Sequence, residues 1–244
     1  MAHQNSSIKV NAIEPQSATT LTIGNSGQDV VVNADSIKNN VLKDAGGNAL
    51  FTSNGSGVLS GVNAGFGSAQ VLLSTTTVST AVTNISFTSG IDSTYKEYVF
   101  EFISMNPTVE DALAFQCSTD GGSNYNTILT STWFWAYHTE AAASSLAYRT
   151  DMDKAQATTF QGLIGNTTAG SDYAASGELH LFNPASTTYV KNWYSRVTSY
   201  GNTSWAMDCY SAGYFNTTTA INAIRFTYSS GNIQAGKIKM YGIK

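Results

Sequence analysis

Aromatic side chains are the ligand-binding residue type that this sequence carries in surplus, with 4 Trp, 13 Tyr and 11 Phe. Flat rings next to Asn, Asp and Glu stack on sugar faces and hydrogen-bond sugar hydroxyls, so the pattern predicts a glycan-binding surface. The candidate stacking residues are Trp133, Trp135, Tyr137, Trp193 and Trp205. Strand alternation puts residues 133, 135 and 137 on one face and Phe134 on the other, so only one of those sets can lie fully inside. Core or intersubunit packing is the alternative role for the tryptophans.

Side chains that could hold a metal ion or transfer a proton are few, and only 3 are His. Glu178 and His180 lie two residues apart, so a strand would put both on one face, where His138 could complete a metal site or an acid–base pair. Ordinary surface or hydrogen-bonded roles are the alternative. Oxygen ligands for calcium occur at Asp120, Asn124, Asp151 and Asp153, without the ligand count or terminal glutamate of a calcium loop. We therefore expect no metal site.

Catalytic motifs are missing from the sequence. No Gly-x-Ser-x-Gly elbow occurs, and no phosphate-binding glycine loop followed by Lys-Ser or Lys-Thr occurs. Carboxylates that could pair for glycoside cleavage are Glu101, Glu110, Asp111, Glu140 and Glu178, but no spacing selects two of them. We expect a protein that is not an enzyme, with no catalytic residues and no cofactor.

Charge is scarce and bounds the partners. Asp, Glu, Lys and Arg make up 11% of the chain, against about a quarter in a typical soluble domain. A net charge of −4 without a Lys/Arg cluster argues against nucleic-acid binding. No apolar run approaches membrane-spanning length and no secretion signal is recognisable, so we expect synthesis in a cytoplasm without membrane insertion. For Cys117 and Cys209 we expect free buried thiols, with one disulfide as the alternative.

The elements that position these residues differ between the two parts of the chain. In residues 1–70, apolar bursts of two or three residues alternate with Gly, Asn, Asp and Ser, which predicts very short strands joined by tight turns. Each such strand buries too little apolar surface to offset its ordering entropy alone, whereas three chains side by side can share a core. We expect an attachment or shaft segment formed by a homotrimer, with a flexible linker as the alternative.

Residues 71–244 read as longer strands separated by turns. Tyr98, Phe100 and Phe102 alternate with Val99, Glu101 and Ile103, which is typical of a central strand. Eight or more such strands without a helical repeat predict an all-β fold, an antiparallel jelly-roll β-sandwich. Residues 223–244 alternate like a closing β-hairpin, which would gather the cations of Arg225, Lys237 and Lys239 on one outward face.

The end of the chain also resembles a known family. The matching residues are Phe226, Tyr228, Gly231, Asn232, Ile233, Ala235, Gly236, Tyr241, Gly242 and Ile243. Three upstream stretches, 98–104, 115–125 and 176–187, belong to the same likeness, which covers roughly the last two thirds of the sequence. In these features the chain is similar to the C-terminal domain of many phage virion proteins, marine phages and cyanophages especially, of the tail-fibre or structural type.

The resemblance implies a virion structural protein. A homotrimeric tail fibre would contact other virion proteins through residues 1–70 and a host-surface glycan through its C-terminal domain. A capsid fibre or head decoration protein docked through its N-terminal arm is one alternative, and a glycan-degrading fibre enzyme is another.

Overall fold

The computed structural model describes residues 41–44, 46–53, 55–56, 59–62, 69–201 and 204–244. The apolar bursts predicted to form strands at 21–23 and 30–32 lie outside these residues. The chain divides into two compact units, Met1–Asn63 and Ala64–Lys244. The described residues contain no helix, and so they include no helix that could span a membrane.

The first unit contains a three-stranded antiparallel sheet of short strands, β1 Val41–Lys43, β2 Ala49–Ser53 and β3 Leu59–Val62. The β1–β2 turn is closed by Asp44, whose carboxylate accepts hydrogen bonds from the backbone N (2.8 Å) and Nδ2 (3.1 Å) of Asn48. No side chain of β1 or β2 is buried, and Leu42 is 38% exposed. The apolar side chains of these two strands therefore lack the cover that a stable sheet of this size needs.

The second unit is a sandwich of two antiparallel sheets. Its strands are β4 Gln70–Val78, β5 Asn84–Phe87, β6 Glu97–Pro107, β7 Leu113–Ser118, β8 Leu129–Thr139, β9 Ser144–Tyr148, β10 Lys154–Ala157, β11 Gln161–Gly162, β12 Ala175–Phe182, β13 Lys191–Gly201, β14 Trp205–Phe215, β15 Ala223–Tyr228 and β16 Ile233–Ile243. The large sheet has nine strands in the order β10-β8-β14-β13-β12-β6-β16-β4, with β9 paired to β8, and the small sheet has the order β11-β7-β15-β5.

The predicted jelly roll is present within this sandwich. Four strands of the large sheet, β4-β16-β6-β12, face four of the small sheet, β5-β15-β7-β11, and the chain crosses repeatedly between them. This is the eight-stranded arrangement of two interleaved Greek keys. The remaining strands come from two insertions, β8 to β10 and β13 to β14, which extend the large sheet beyond β12. The predicted all-β antiparallel sandwich is therefore confirmed.

The core lies between the sheets and is built from the inward-facing half of each alternating strand. Phe226 of β15 is central, with ring centroids 5.4 Å from Phe100 and 5.2 Å from Phe102 of β6. As predicted, β6 is a central strand, paired with β12 on one side and β16 on the other. Burying these large apolar side chains supplies most of the free energy that stabilises the fold.

The predicted hairpin at residues 223–244 is wrong. β15 pairs with β5 and β7 of the small sheet, whereas β16 pairs with β4 and β6 of the large sheet. Two strands that face each other across a core carry the same alternation as two strands paired side by side, so the sequence pattern could not separate the two cases. Arg225 therefore lies on a different sheet from Lys237 and Lys239, and the three cations do not form one face.

Both cysteines are free and buried, which confirms the expectation for them. Cys117 lies on β7 and Cys209 on β14, strands of opposite sheets. Burial raises the pKa of the Cys117 thiol well above its usual value, and burial raises that of Cys209 to about 12. Both thiols are therefore protonated, and neither is a nucleophile in the folded protein.

Candidate functional site

Two of the predicted stacking residues belong to the core. Trp133 of β8 is 0% exposed, and Trp193 of β13 is 2% exposed. The Trp133 Nε1–H donates a hydrogen bond to the carbonyl oxygen of Gly162 (3.1 Å), and the Trp193 ring packs edge-on against Phe115, with centroids 4.9 Å apart. Neither ring has a face open to a ligand, so both fill the packing role that was the alternative for them.

Trp135, Tyr137 and Trp205 form a second aromatic cluster, which is partly buried at one end of β8 and β14. Tyr137 and Trp205 stack on each other, with centroids 4.2 Å apart and planes 15° apart. The guanidinium of Arg149 lies 4.1 Å from the centre of the Trp135 ring. All three rings are only partly exposed and pack against the core, so this cluster mainly extends the core packing.

The outer face of the large sheet carries a different set of aromatic and charged residues. The strand register puts seven side chains in one row across the sheet, each directly opposite the next on the neighbouring strand. In order from β9 to β16 they are Tyr148, Phe134, Tyr210, Arg196, Glu178, Glu101 and Lys239. We call this set the outer row.

One end of the outer row is an aromatic platform. Phe134 and Tyr210 stack with centroids 4.9 Å apart and planes 4° apart, and the Arg196 guanidinium carbon lies 5.2 Å from the Tyr210 ring. Phe134 is 40% exposed and Tyr148 is 52% exposed, which is unusual for side chains of this size and type. The platform therefore presents aligned rings to solvent on this face.

The middle of the outer row is held by charge-assisted hydrogen bonds. Arg196 donates both Nε (3.1 Å) and Nη2 (2.8 Å) to the two carboxylate oxygens of Asp208, and Tyr210 Oη donates to the same carboxylate (2.9 Å). The Arg196 hydrogen bonds lower the pKa of Asp208, and the bond to Asp208 raises that of Tyr210. This network fixes the orientation of the Tyr210 ring and of the guanidinium beside it.

The other end pairs two glutamates of adjacent strands. Glu101 accepts hydrogen bonds from Lys239 Nζ (3.0 Å) and Tyr241 Oη (3.1 Å). Glu178 lies directly opposite Glu101, and its side chain is 51% exposed. Both carboxylates are accessible hydrogen-bond acceptors on an open surface.

A groove of about 640 Å³ runs beside the outer row, a volume within the usual range for a small-ligand site. It is lined by Glu101, Phe102, Ile103, Ser176, Gly177, Glu178, Arg196, Thr198, Ala206, Met207 and Asp208. Gly177 allows β12 and β13 to approach closely beside the groove, since a Cβ there would lie 2.3 Å from the carbonyl oxygen of Arg196. Small hydroxyl side chains, Ser176 and Thr198, stand next to the charged ones in its lining.

His180 and Glu178 meet as the sequence suggested, whereas His138 does not join them. His180 Nδ1 lies 2.6 Å from Glu97 Oε1, its Nε2 lies 3.4 Å from Glu178 Oε1, and its ring stacks on Tyr194 at 4.5 Å. His138 pairs with Ala206, with β13 and β14 between its strand and β12. Within the described residues no group of three or more His, Cys, Asp or Glu side chains could hold a metal ion.

The carboxylates considered for calcium bind protein groups instead. Asp120 accepts hydrogen bonds from Ser118 Oγ (2.6 Å) and from the backbone N and Nδ2 of Asn124 (2.9 and 2.7 Å). Asp151 pairs with Arg149, and Asp153 accepts a hydrogen bond from Tyr148 Oη (2.6 Å). Each of the three carboxylates therefore has a partner within a turn or beside a neighbouring strand.

Four residues of this site were missed by sequence reasoning. Alternation separated Phe134 from its tryptophan neighbours, but both sets are aromatic, so nothing in the pattern showed that the Phe134 face is the outer one. Arg196 and Asp208 lie on adjacent strands twelve residues apart, and only the β13–β14 register brings them together with Tyr210. The signal that could have found them is the two-residue spacing of Asp208 and Tyr210 on one strand, next to a strand that carries Arg196.

The described residues of the second unit thus form an all-β jelly roll with an open surface of polar, charged and aromatic side chains. Comparison of the chain with protein-family models, with curated proteins and with solved structures gives no match.

Proposed function

We propose that this chain is a structural protein of a phage virion, of the homotrimeric tail-fibre type, whose jelly-roll domain binds host-surface glycans and catalyses no reaction. The phage and virion part of the proposal rests on the C-terminal sequence resemblance. The single observation that supports glycan binding is the aromatic platform of Phe134 and Tyr210, which adjoins a groove of carboxylates, hydroxyls and one guanidinium.

The arrangement suits a sugar because it offers both kinds of contact that a sugar needs. The apolar C–H face of a pyranose stacks on an exposed ring, for which Phe134 and Tyr148 are available on this surface. Its hydroxyls exchange hydrogen bonds with charged and hydroxyl side chains, for which Asp208, Glu178 and Thr198 are available. The groove is also open along the sheet, so a polymer can lie across it.

Glycan binding is tested with a glycan array, using Phe134→Ala and Tyr148→Ala against the unmodified chain. Removing one stacking ring should weaken binding about tenfold, since aromatic stacking contributes roughly 0.5–1.5 kcal/mol beyond the buried area. Tyr189→Ala is the matched control, because Tyr189 is an exposed ring, 69% accessible, that lies outside both the outer row and the groove lining. Equal loss in all three variants, or no binding to any glycan, would refute the glycan part of the proposal.

Trimer formation is supported by the sheet of the first unit. Its strands β1 and β2 bury no side chain. Packing against the same sheet of two further chains would bury Leu42, Leu50 and Phe51. Light scattering after size exclusion should give three chains per particle for the full chain and one for residues 64–244. A monomeric full-length chain would refute the trimer and favour the linker alternative for residues 1–70.

Absence of catalysis is tested on the same glycans. Reducing-sugar release should stay at the level of a protein-free control. Release that disappears in a Glu101→Gln or Glu178→Gln variant would instead establish the glycan-degrading alternative, with these two carboxylates as its acid and base.

A further inference from the structure

The charges that line the groove are already paired, with one exception. The Arg196 guanidinium is bound in a two-pronged contact to Asp208, and Glu101 is bound by Lys239 and Tyr241. Glu178 makes no Lys or Arg ion pair among the described residues, and the nearest cationic candidate, His180 Nε2, lies 3.4 Å away. The groove therefore holds one accessible carboxylate that has no Lys or Arg partner among the described residues.

The same pairing leaves no cation free for an acidic ligand. Arg196 is the one basic residue of the groove lining, and its guanidinium Nε and Nη2 already donate hydrogen bonds to the Asp208 carboxylate. Lys239, the next cation along the outer row, holds Glu101. A uronate, sialate, sulfate or phosphate in the groove would meet three carboxylates and would have to break an existing ion pair to gain a partner.

We propose that the groove selects glycans whose sugars carry a free amino group, with the ammonium bound by Glu178 beside the aromatic platform. This inference rests on the proposed glycan-binding function and names the chemical class of its ligand. The ammonium supplies the missing cation and forms a charge-assisted hydrogen bond to the carboxylate. Stacking of another sugar of the same glycan on the exposed ring of Phe134 or Tyr148 provides the remaining contact.

The test is isothermal titration of the full chain with three probes at pH 6 and low salt. The probes are a β-1,4-linked glucosamine tetramer, its fully N-acetylated counterpart and a tetramer of galacturonate. Because Glu178 is half exposed, we expect the glucosamine tetramer to bind about threefold to fivefold tighter than the N-acetylated one. Binding of the galacturonate tetramer should be weakest, and added salt should reduce the differences.

Glu178→Gln should abolish the preference for the amine, so that the glucosamine tetramer and its N-acetylated counterpart bind the variant with equal affinity. Glu110→Gln, which removes an exposed carboxylate outside the groove lining, should keep the preference. Equal affinities for the first two probes, or a preference that survives Glu178→Gln, would overturn the inference and leave glycan binding intact. No binding of any tetramer, combined with a blank glycan array, would refute the glycan-binding function itself and this inference with it.

Discussion

Replacement of Gly177 by Ala tests whether the close pairing of β12 with β13 requires a residue without a side chain at this position. Gly177 lies on β12 in the middle of the large sheet, opposite Val197 of β13 and Phe102 of β6. A Cβ built on its backbone lies 2.3 Å from the Arg196 carbonyl oxygen and 2.7 Å from the Val197 Cα. Both are backbone atoms, so no rotamer change can relieve the contact, and β12 must move away from β13.

The expected loss of stability follows from that geometry. Overpacking in a well-packed region costs about 1–3 kcal/mol, and we expect the upper end because two central strands must separate. For a unit of this size, about 3 kcal/mol lowers Tm by roughly 6–12 °C. Urea denaturation followed by tryptophan fluorescence measures the change directly, since Trp133 and Trp193 lie in the core.

Gly121→Ala is the matched control for the backbone contribution. Gly121 has a φ of 72°, and a Cβ there meets nothing within 4 Å. Its substitution therefore carries only the cost of a left-handed conformation, roughly 1–2 kcal/mol. The steric argument fails if Gly177→Ala unfolds within about 0.5 kcal/mol of the unmodified protein, or if it is less destabilised than Gly121→Ala.

Three further predictions concern the interior and one turn. Trp133→Phe loses ring volume and the hydrogen bond to the Gly162 carbonyl. The free energy of unfolding from urea denaturation should therefore fall by about 2–3 kcal/mol. An unchanged urea midpoint would contradict the core role of Trp133. Neither Cys117 nor Cys209 should react with a thiol reagent at pH 8 in the native state, whereas both should react in guanidinium, and a fast native reaction would contradict their burial. Hydrogen bonds from Ser118 and Asn124 lower the pKa of Asp120 to about 2, so its stabilising effect is complete above the unfolded pKa near 4 and is lost as pH falls toward 2. Asp120→Asn should therefore destabilise the protein at neutral pH but not at pH 2, as measured by thermal melts across that range, and a pH-independent difference would show that the carboxylate's charge is not involved.

Alternation along single strands was sufficient to predict the fold class, because its period depends only on local geometry. It identified Tyr98, Phe100 and Phe102 as the inward side of a central strand, and it separated Phe134 from the tryptophans on either side. Register between strands depends on turns and core shape, which the sequence does not state directly. The alternation pattern therefore could not predict the contact of Arg196 with Asp208. It also could not predict that β15 lies on the sheet opposite β16.

The choice of inner and outer face also depended on the whole sandwich. Trp133 and Phe134 are both large and apolar, so hydrophobicity alone predicts burial for either. The hydrogen bond from Trp133 Nε1 to Gly162 and the edge-on contact of Trp193 with Phe115 show which set fits between the sheets. Three of the candidate stacking residues, Trp133, Trp135 and Tyr137, consequently lie on the face of β8 that packs inward.

The two insertions that widen the large sheet have an evolutionary consequence. The groove lies where the eight-stranded jelly roll meets inserted strands: β6 and β12 contribute Glu101 and Glu178, whereas β13 and β14 contribute Arg196 and Asp208. An exchange of the inserted strands β13 and β14 would change about half of the groove lining, while the other half and the jelly roll that supports it stayed the same. Recombination at β12–β13 and β14–β15 would therefore alter the shape and charge of the groove without a new fold.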